Sequence, residues 1–168
     1  MKSYRQIALG TIVVATLTVV LITLPARSDS NNSGHDATPF QQEIHVAIAA
    51  GAGQGFASST QIPAGKRLII ENISAQAGLP AGQRPIIFVT PTAGGTTVQH
   101  NLLVTFQANI GGYDELVASE VAKLYADPRS YVQIGVFLSS LAGPSDVWVK
   151  LTGRLVPCGH DPSCPLEE

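Results

Sequence analysis

The chain has 168 residues, with ten Lys and Arg against twelve Asp and Glu. That near-neutral balance gives no electrostatic footprint for a nucleic-acid partner and no acidic tail, and the length fits one domain.

At the N-terminus, Lys2 and Arg5 precede an uncharged run from Ile7 to Leu24, which Pro25-Ala26-Arg27 follows. This is the order of an export signal. Eighteen helical residues would span about 27 Å against about 30 Å of hydrocarbon, so length does not separate a signal peptide from a membrane anchor. Cleavage after Ala26 would use an Ala at the last position but a large Leu24 two places earlier. Residues 1–26 are therefore read as a signal peptide or signal anchor. The protein is expected to be periplasmic or extracellular, tethered to a membrane only through residues 7–24 if these are not removed. Residues 27–39, polar and poor in large apolar groups, read as a flexible linker that includes a solvated His35.

The folded domain is expected over residues 40–157. Glu43 to Ala49 alternates, with Ile44, Val46 and Ile48 inward and Glu43 and His45 outward. The glycine-rich Gly51-Ala52-Gly53-Gln54-Gly55-Phe56 lacks the small residue that a dinucleotide loop needs where Phe56 stands, and reads as a hairpin connection.

Ile62-Pro63-Ala64-Gly65 and its echo Leu79-Pro80-Ala81-Gly82 read as type I turns, with Pro at the second position and Gly at the fourth. Each feeds a strand. Leu68-Ile69-Ile70, apolar on both faces and ended by Glu71, is expected at the centre of a sheet, and Ile86 to Val89 is its counterpart. Lys66, Arg67 and Arg84 stand where turns hand over to strands and are expected to keep that end of the domain soluble.

Between Thr97 and Gln107 one long strand is expected, with Val98, His100, Leu102, Val104 and Phe106 on the core face. His100 has no Glu, Asp or second His at ligand spacing. It reads as a hydrogen-bonded histidine at the edge of the core. Tyr113 to Ala126 fits near-helical spacing, and also two short edge strands meeting at Glu120; the extended neighbours favour strands. Asp127-Pro128-Arg129-Ser130 is a turn. Tyr131 to Ser140 alternates most clearly, with Val132, Ile134, Val136 and Leu138 inward and Phe137 outward. The last strand, Asp146 to Val156, sends Val147, Val149, Leu151 and Leu155 inward and Trp148, Lys150, Thr152 and Arg154 outward.

Seven to nine short strands with turns about every ten residues predict an all-β fold, a single antiparallel β-sandwich of jelly-roll type. From about Phe56 to Val156 the chain resembles a group of small exported bacterial proteins of unknown function. The resemblance rests on Ile62-Pro63-Ala64-Gly65-Lys66-Arg67-Leu68-Ile69-Ile70-Glu71 and Lys123-Leu124-Tyr125-Ala126-Asp127-Pro128. It implies a secreted β-sandwich and a strand over Val121 to Ala126, and brings no activity, cofactor or site residue with it.

The tail, residues 158–168, holds both cysteines. Cys158 and Cys164, with Gly and Pro between them, are expected to close a local disulfide in an oxidising compartment rather than a metal loop. No nucleophile elbow and no zinc-protease helix motif occur. Asp114, Glu115 and Glu120 are the one acidic cluster, the basis for an alternative carboxylate-based hydrolase acting on an envelope or extracellular substrate. The favoured reading is a non-catalytic β-sandwich that binds a protein partner or a surface glycan through Trp148, Lys150 and Arg154, with no metal and no cofactor. A purely structural envelope component and a homo-oligomer joined by strand addition stay open.

Overall fold

The computed structural model describes residues 37–159. The apolar run 7–24, most of the linker, and Cys164 with the disulfide expected of it lie outside the described residues. Eleven strands follow in order: β1 Thr38–Ile48, β2 Gln54–Ser58, β3 Lys66–Pro80, β4 Pro85–Thr90, β5 Thr92–Ala93, β6 Thr96–Thr97, β7 His100–Leu102, β8 Thr105–Ile110, β9 Tyr113–Ala126, β10 Gln133–Leu138 and β11 Ser145–Pro157. All pairings are antiparallel.

A five-stranded sheet runs β1-β11-β3-β9-β8 and a four-stranded sheet β2-β10-β4-β7, with β5 and β6 forming a small separate ribbon. The chain changes sheet at β1 to β2, β2 to β3, β3 to β4, β7 to β8, β9 to β10 and β10 to β11. Strands adjacent in sequence thus occupy matching places in the two layers, which is the winding of a jelly roll. The domain is an antiparallel β-sandwich, as its alternation predicts.

Between the layers, Ile44, Val46 and Ile48 of β1 meet Val147, Val149 and Leu151 of β11, the inward side of β3, and Ile87, Val89, Ile134 and Val136 of the second sheet. Each of these side chains, taken fully out of water, contributes about 1.5 to 3 kcal/mol of apolar transfer. Thr38 stands opposite Leu155, so the strand that opens the fold begins beside the end of the strand that closes it.

Several expectations need correcting. Glu71 does not end its strand. β3 continues to Pro80, and its pairing with both neighbours shifts register at Glu71. One extra residue moves the inward set from Leu68 and Ile70 to Ile73, Ala75, Ala77 and Leu79, so alternation changes phase and the core face does not. Gly153 is the partner of this bulge: a Cβ there would collide with the carbonyl oxygen of Ile69.

The two turns are real but framed one residue later. The N–H of Lys66 donates to the Pro63 carbonyl at 3.2 Å and that of Gln83 to the Pro80 carbonyl at 3.1 Å. Pro is thus first and Gly third. Gly65 and Gly82 have φ of 66° and 83°, the positive value that the third position of a type II turn requires.

Gly51 to Phe56 is not a hairpin, because it carries the chain from β1 in one sheet to β2 in the other. The single strand expected over Thr97 to Gln107 is split, with His100–Leu102 in the four-stranded sheet and Thr105–Ile110 in the five-stranded one. Val98 and Phe106 are exposed. Phe106 lies on the core side of β8, but β8 is the edge strand of the wider sheet, and among the described residues the four-stranded sheet has no fifth strand to cover it. Tyr113 to Ala126 is neither a helix nor two edge strands; it is one strand, flanked by β3 and β8.

Candidate functional site

The outer face of the five-stranded sheet is assembled by register. One row crosses all five strands as His45, Trp148, Gln76, Val117 and Thr105, and the next carries Glu43, Lys150, Ser74 and Ser119. These side chains point outward because their neighbours, Ile44, Val46, Val147, Val149, Ala75, Ala77, Leu116 and Ala118, fill the core.

His45 stacks on the Trp148 indole with ring centroids 5.0 Å apart and planes within 10°. Its Nε2 is 2.7 Å from Oδ1 of Asp146. His45 thereby holds the indole upright from one side. On the other side, over β3 and β9, lies a groove of about 500 Å³ bordered by Trp148, Gln76, Ser74, Val117 and the Lys150–Glu43 pair, a volume within the range of small-ligand pockets. The short side chain of Ser74 keeps its floor low. Lys150 Nζ is 3.3 Å from a Glu43 carboxylate oxygen, with both side chains about half exposed.

The three side chains singled out from the sequence do share the outward face, but only two of them border the groove. Trp148 and Lys150 line it. Arg154 lies beyond the bulge, opposite Ile69, with its Nε 3.4 Å from Oε1 of Glu71. What sequence reasoning missed is the contribution of β3 and β9, Ser74, Gln76 and Val117, which are ordinary residue types gathered by pairing. The alternation of Ser74 and Gln76 with buried Ala75 and Ala77 is the signal that marks them as outward.

The acidic cluster does not converge. Asp114 and Glu120 lie on the core side of β9, whereas Glu115 lies outward. Buried Asp114 accepts from the Asn109 side-chain amide at 2.7 Å and from the Gly82 N–H at 2.8 Å. These bonds hold its carboxyl below the usual carboxylate range despite its burial, with Arg84 assisting. Glu120 accepts from the Leu103 N–H, at 2.6 Å, and its other oxygen is 3.0 Å from His100 Nε2. Its pKa is lowered first by the Leu103 bond and then by His100, against a desolvation that raises it. A general acid for glycoside hydrolysis needs the opposite shift. Glu120, from the five-stranded sheet, instead holds both ends of β7 in the other sheet, and is the partner of His100 that local spacing did not reveal.

Among the described residues, no three His, Cys, Asp or Glu side chains stand close enough to share a metal ion. Arg67 is more than a solubilising charge: its Nη2 lies 3.0 Å from Asp127, and both side chains are largely buried. Asp127 also accepts from the Gly94 N–H at 2.6 Å, fixing the small ribbon to the end of β9.

No family model matches the chain, and no curated protein matches it. Among solved structures it is similar to the N-terminal endo-1,4-β-D-xylanase 10B of Clostridium thermocellum, CBM22-1 and GH10 modules complexed with xylohexaose. That likeness has 12% identity and a TM-score of 0.33, and covers 79% of this chain. The chain spans about a quarter of that protein's length, 26%, and at this TM-score the likeness carries no argument about a ligand.

Proposed function

We propose that the protein is an exported, non-catalytic β-sandwich that binds a glycan segment in the groove beside Trp148. The observation that carries this reading is the indole: His45 supports one face, and the other borders a concave trough with a hydroxyl and amide lining. A sugar ring offers an apolar C–H face for the indole and hydroxyls for Ser74, Gln76 and Lys150, the usual division of labour in a small polar-ligand site. The hydroxyl, amide and ammonium groups of Ser74, Gln76 and Lys150 beside the indole suit a glycan, so the glycan is preferred to a protein partner. Export is read from residues 1–26.

The test is affinity electrophoresis of the secreted protein through neutral and acidic polysaccharides, backed by a glycan array. Retardation by at least one glycan is expected, weakened at least about tenfold by Trp148→Ala, or about 1.4 kcal/mol. Binding that survives both Trp148→Ala and Gln76→Ala would remove the groove from consideration. Absence of any glycan binding would remove the function.

A further inference from the structure

The charges on the outer face of the five-stranded sheet are unevenly placed around the groove. Beside the row of Trp148 and Gln76 stands the row Ala47, Asp146, Gly78, Glu115 and Ala108. Successive rows on one face of a sheet are about 6.8 Å apart. Asp146 turns to His45, 2.7 Å away. Glu115 lies over β3 instead: a Cβ at Gly78 would come within 3.4 Å of its Oε1. The missing side chain at Gly78 leaves the carboxylate room there, one row from Gln76.

Among the described residues, Glu115 has no hydrogen-bond or ion-pair partner. The other two carboxylates of these rows are engaged, Asp146 with His45 and Glu43 with Lys150. The groove thus has a rim at one end formed by the Lys150–Glu43 pair, and just beyond its other end an unpaired carboxylate. On sheet spacings the Cα atoms of Trp148 and Glu115 are about 12 Å apart, two strands and one row. The two side chains therefore reach a chain ligand at different places.

The chemistry of these two ends restricts what lies between them. An ammonium only donates hydrogen bonds and a carboxylate only accepts them. A uronic-acid or sulfated unit suits Lys150 but meets Glu115 with like charge, and the protein surface strengthens that repulsion relative to bulk water. A chain of amino sugars suits Glu115 but sets ammonium groups beside Lys150. A hydroxyl both accepts and donates, so an uncharged sugar serves both ends.

We infer that the groove takes an uncharged glycan and that Glu115 sets this selectivity. Its carboxylate accepts hydroxyls from the unit adjoining the one stacked on Trp148 and turns acidic chains away. The inference rests on the glycan reading above and names the class of chain within it.

The experiment is affinity electrophoresis of the full chain as processed by the producing cell, at about 0.1 M salt, where charges more than about 10 Å apart are largely screened. The probes are neutral polysaccharides and the same polysaccharides lightly carboxymethylated. The neutral form should bind at least about tenfold more tightly. Glu115→Gln should bring the two forms within about threefold of each other at an unchanged melting temperature, because the amide still bonds hydroxyls and carries no charge. Glu71→Gln removes the same charge beyond the bulge, where Arg154 pairs with it, and should leave the selectivity unaltered. Equal binding of the two forms, binding of acidic chains alone, a selectivity unchanged in Glu115→Gln, or one lost equally in Glu71→Gln would overturn the inference and leave the Trp148 groove standing. Failure of the groove reads differently: no retardation by any chain, or retardation indifferent to both Trp148→Ala and Gln76→Ala, would remove the groove and this inference together.

Discussion

Replacing Gly135 by Ala sets two opposed effects against each other. Glycine in a strand costs about 0.5 to 1 kcal/mol relative to alanine through the entropy it loses on folding, so backbone preference alone predicts a more stable protein. Gly135 is also the floor on which Phe88 lies, and an added Cβ would overlap three carbons of that ring. Phe88 cannot lift freely, since Phe56 and Phe137 pack on it and leave it nearly sealed from water. Overpacking of this kind costs about 1 to 3 kcal/mol. The clash should win, giving a net loss of about 1 to 2 kcal/mol and a melting temperature lower by about 3 to 10 °C for a domain of this size. Urea unfolding of Gly135→Ala in the native and Phe88→Ala backgrounds isolates the contact. In the Phe88→Ala background the ring is gone, and the same substitution should become neutral or stabilising, a coupling of at least about 1 kcal/mol. Equal effects in the two backgrounds, or a gain in the native one, would refute the packing of Phe88 onto Gly135.

Two further predictions concern side chains given structural roles above. The Glu120 pKa lies below its unfolded value of about 4.5, so its contribution is fully present above that value and fades as pH falls through the folded pKa. Glu120→Gln should flatten the acid limb of a stability–pH profile below pH 4.5, and an unaltered limb would show that the Leu103 and His100 contacts do not hold the carboxylate. Asp127→Ala removes the acceptor for Arg67 and for the Gly94 N–H at a largely buried site, and should lower stability by about 3 kcal/mol in chemical denaturation. A loss under about 0.5 kcal/mol would place this pair among ordinary surface contacts.

The layered fold was legible because core and solvent faces alternate along β1, β10 and β11, each residue reporting its own side. What alternation does not report is a change of phase or of sheet. At Glu71 a charged residue in an apolar run looks like an ending, and only the neighbouring strands show it to be an extra residue that the ladder steps over. Between Leu102 and Thr105 the apolar spacing continues while the chain passes to the other layer. The same limit hid half of the groove. Trp148 and Lys150 stand out by type, whereas Ser74, Gln76 and Val117 gain significance only from the register that places them beside the indole. His100 and Glu120, twenty residues apart, meet across two sheets, which no motif spacing encodes.

The pairing of Thr38 with Leu155 brings the first described strand and the last to one pole of the sandwich. Trp148 lies seven residues from Leu155 along β11, a distance of about 23 Å, on a flank rather than at a loop tip. A carrier, bead or tag joined directly ahead of Thr38 or after Pro157 would therefore be attached at one end and leave the flank clear. Immobilisation through these two points in turn should give the same apparent affinity, a convenient control for any surface-based measurement on this protein.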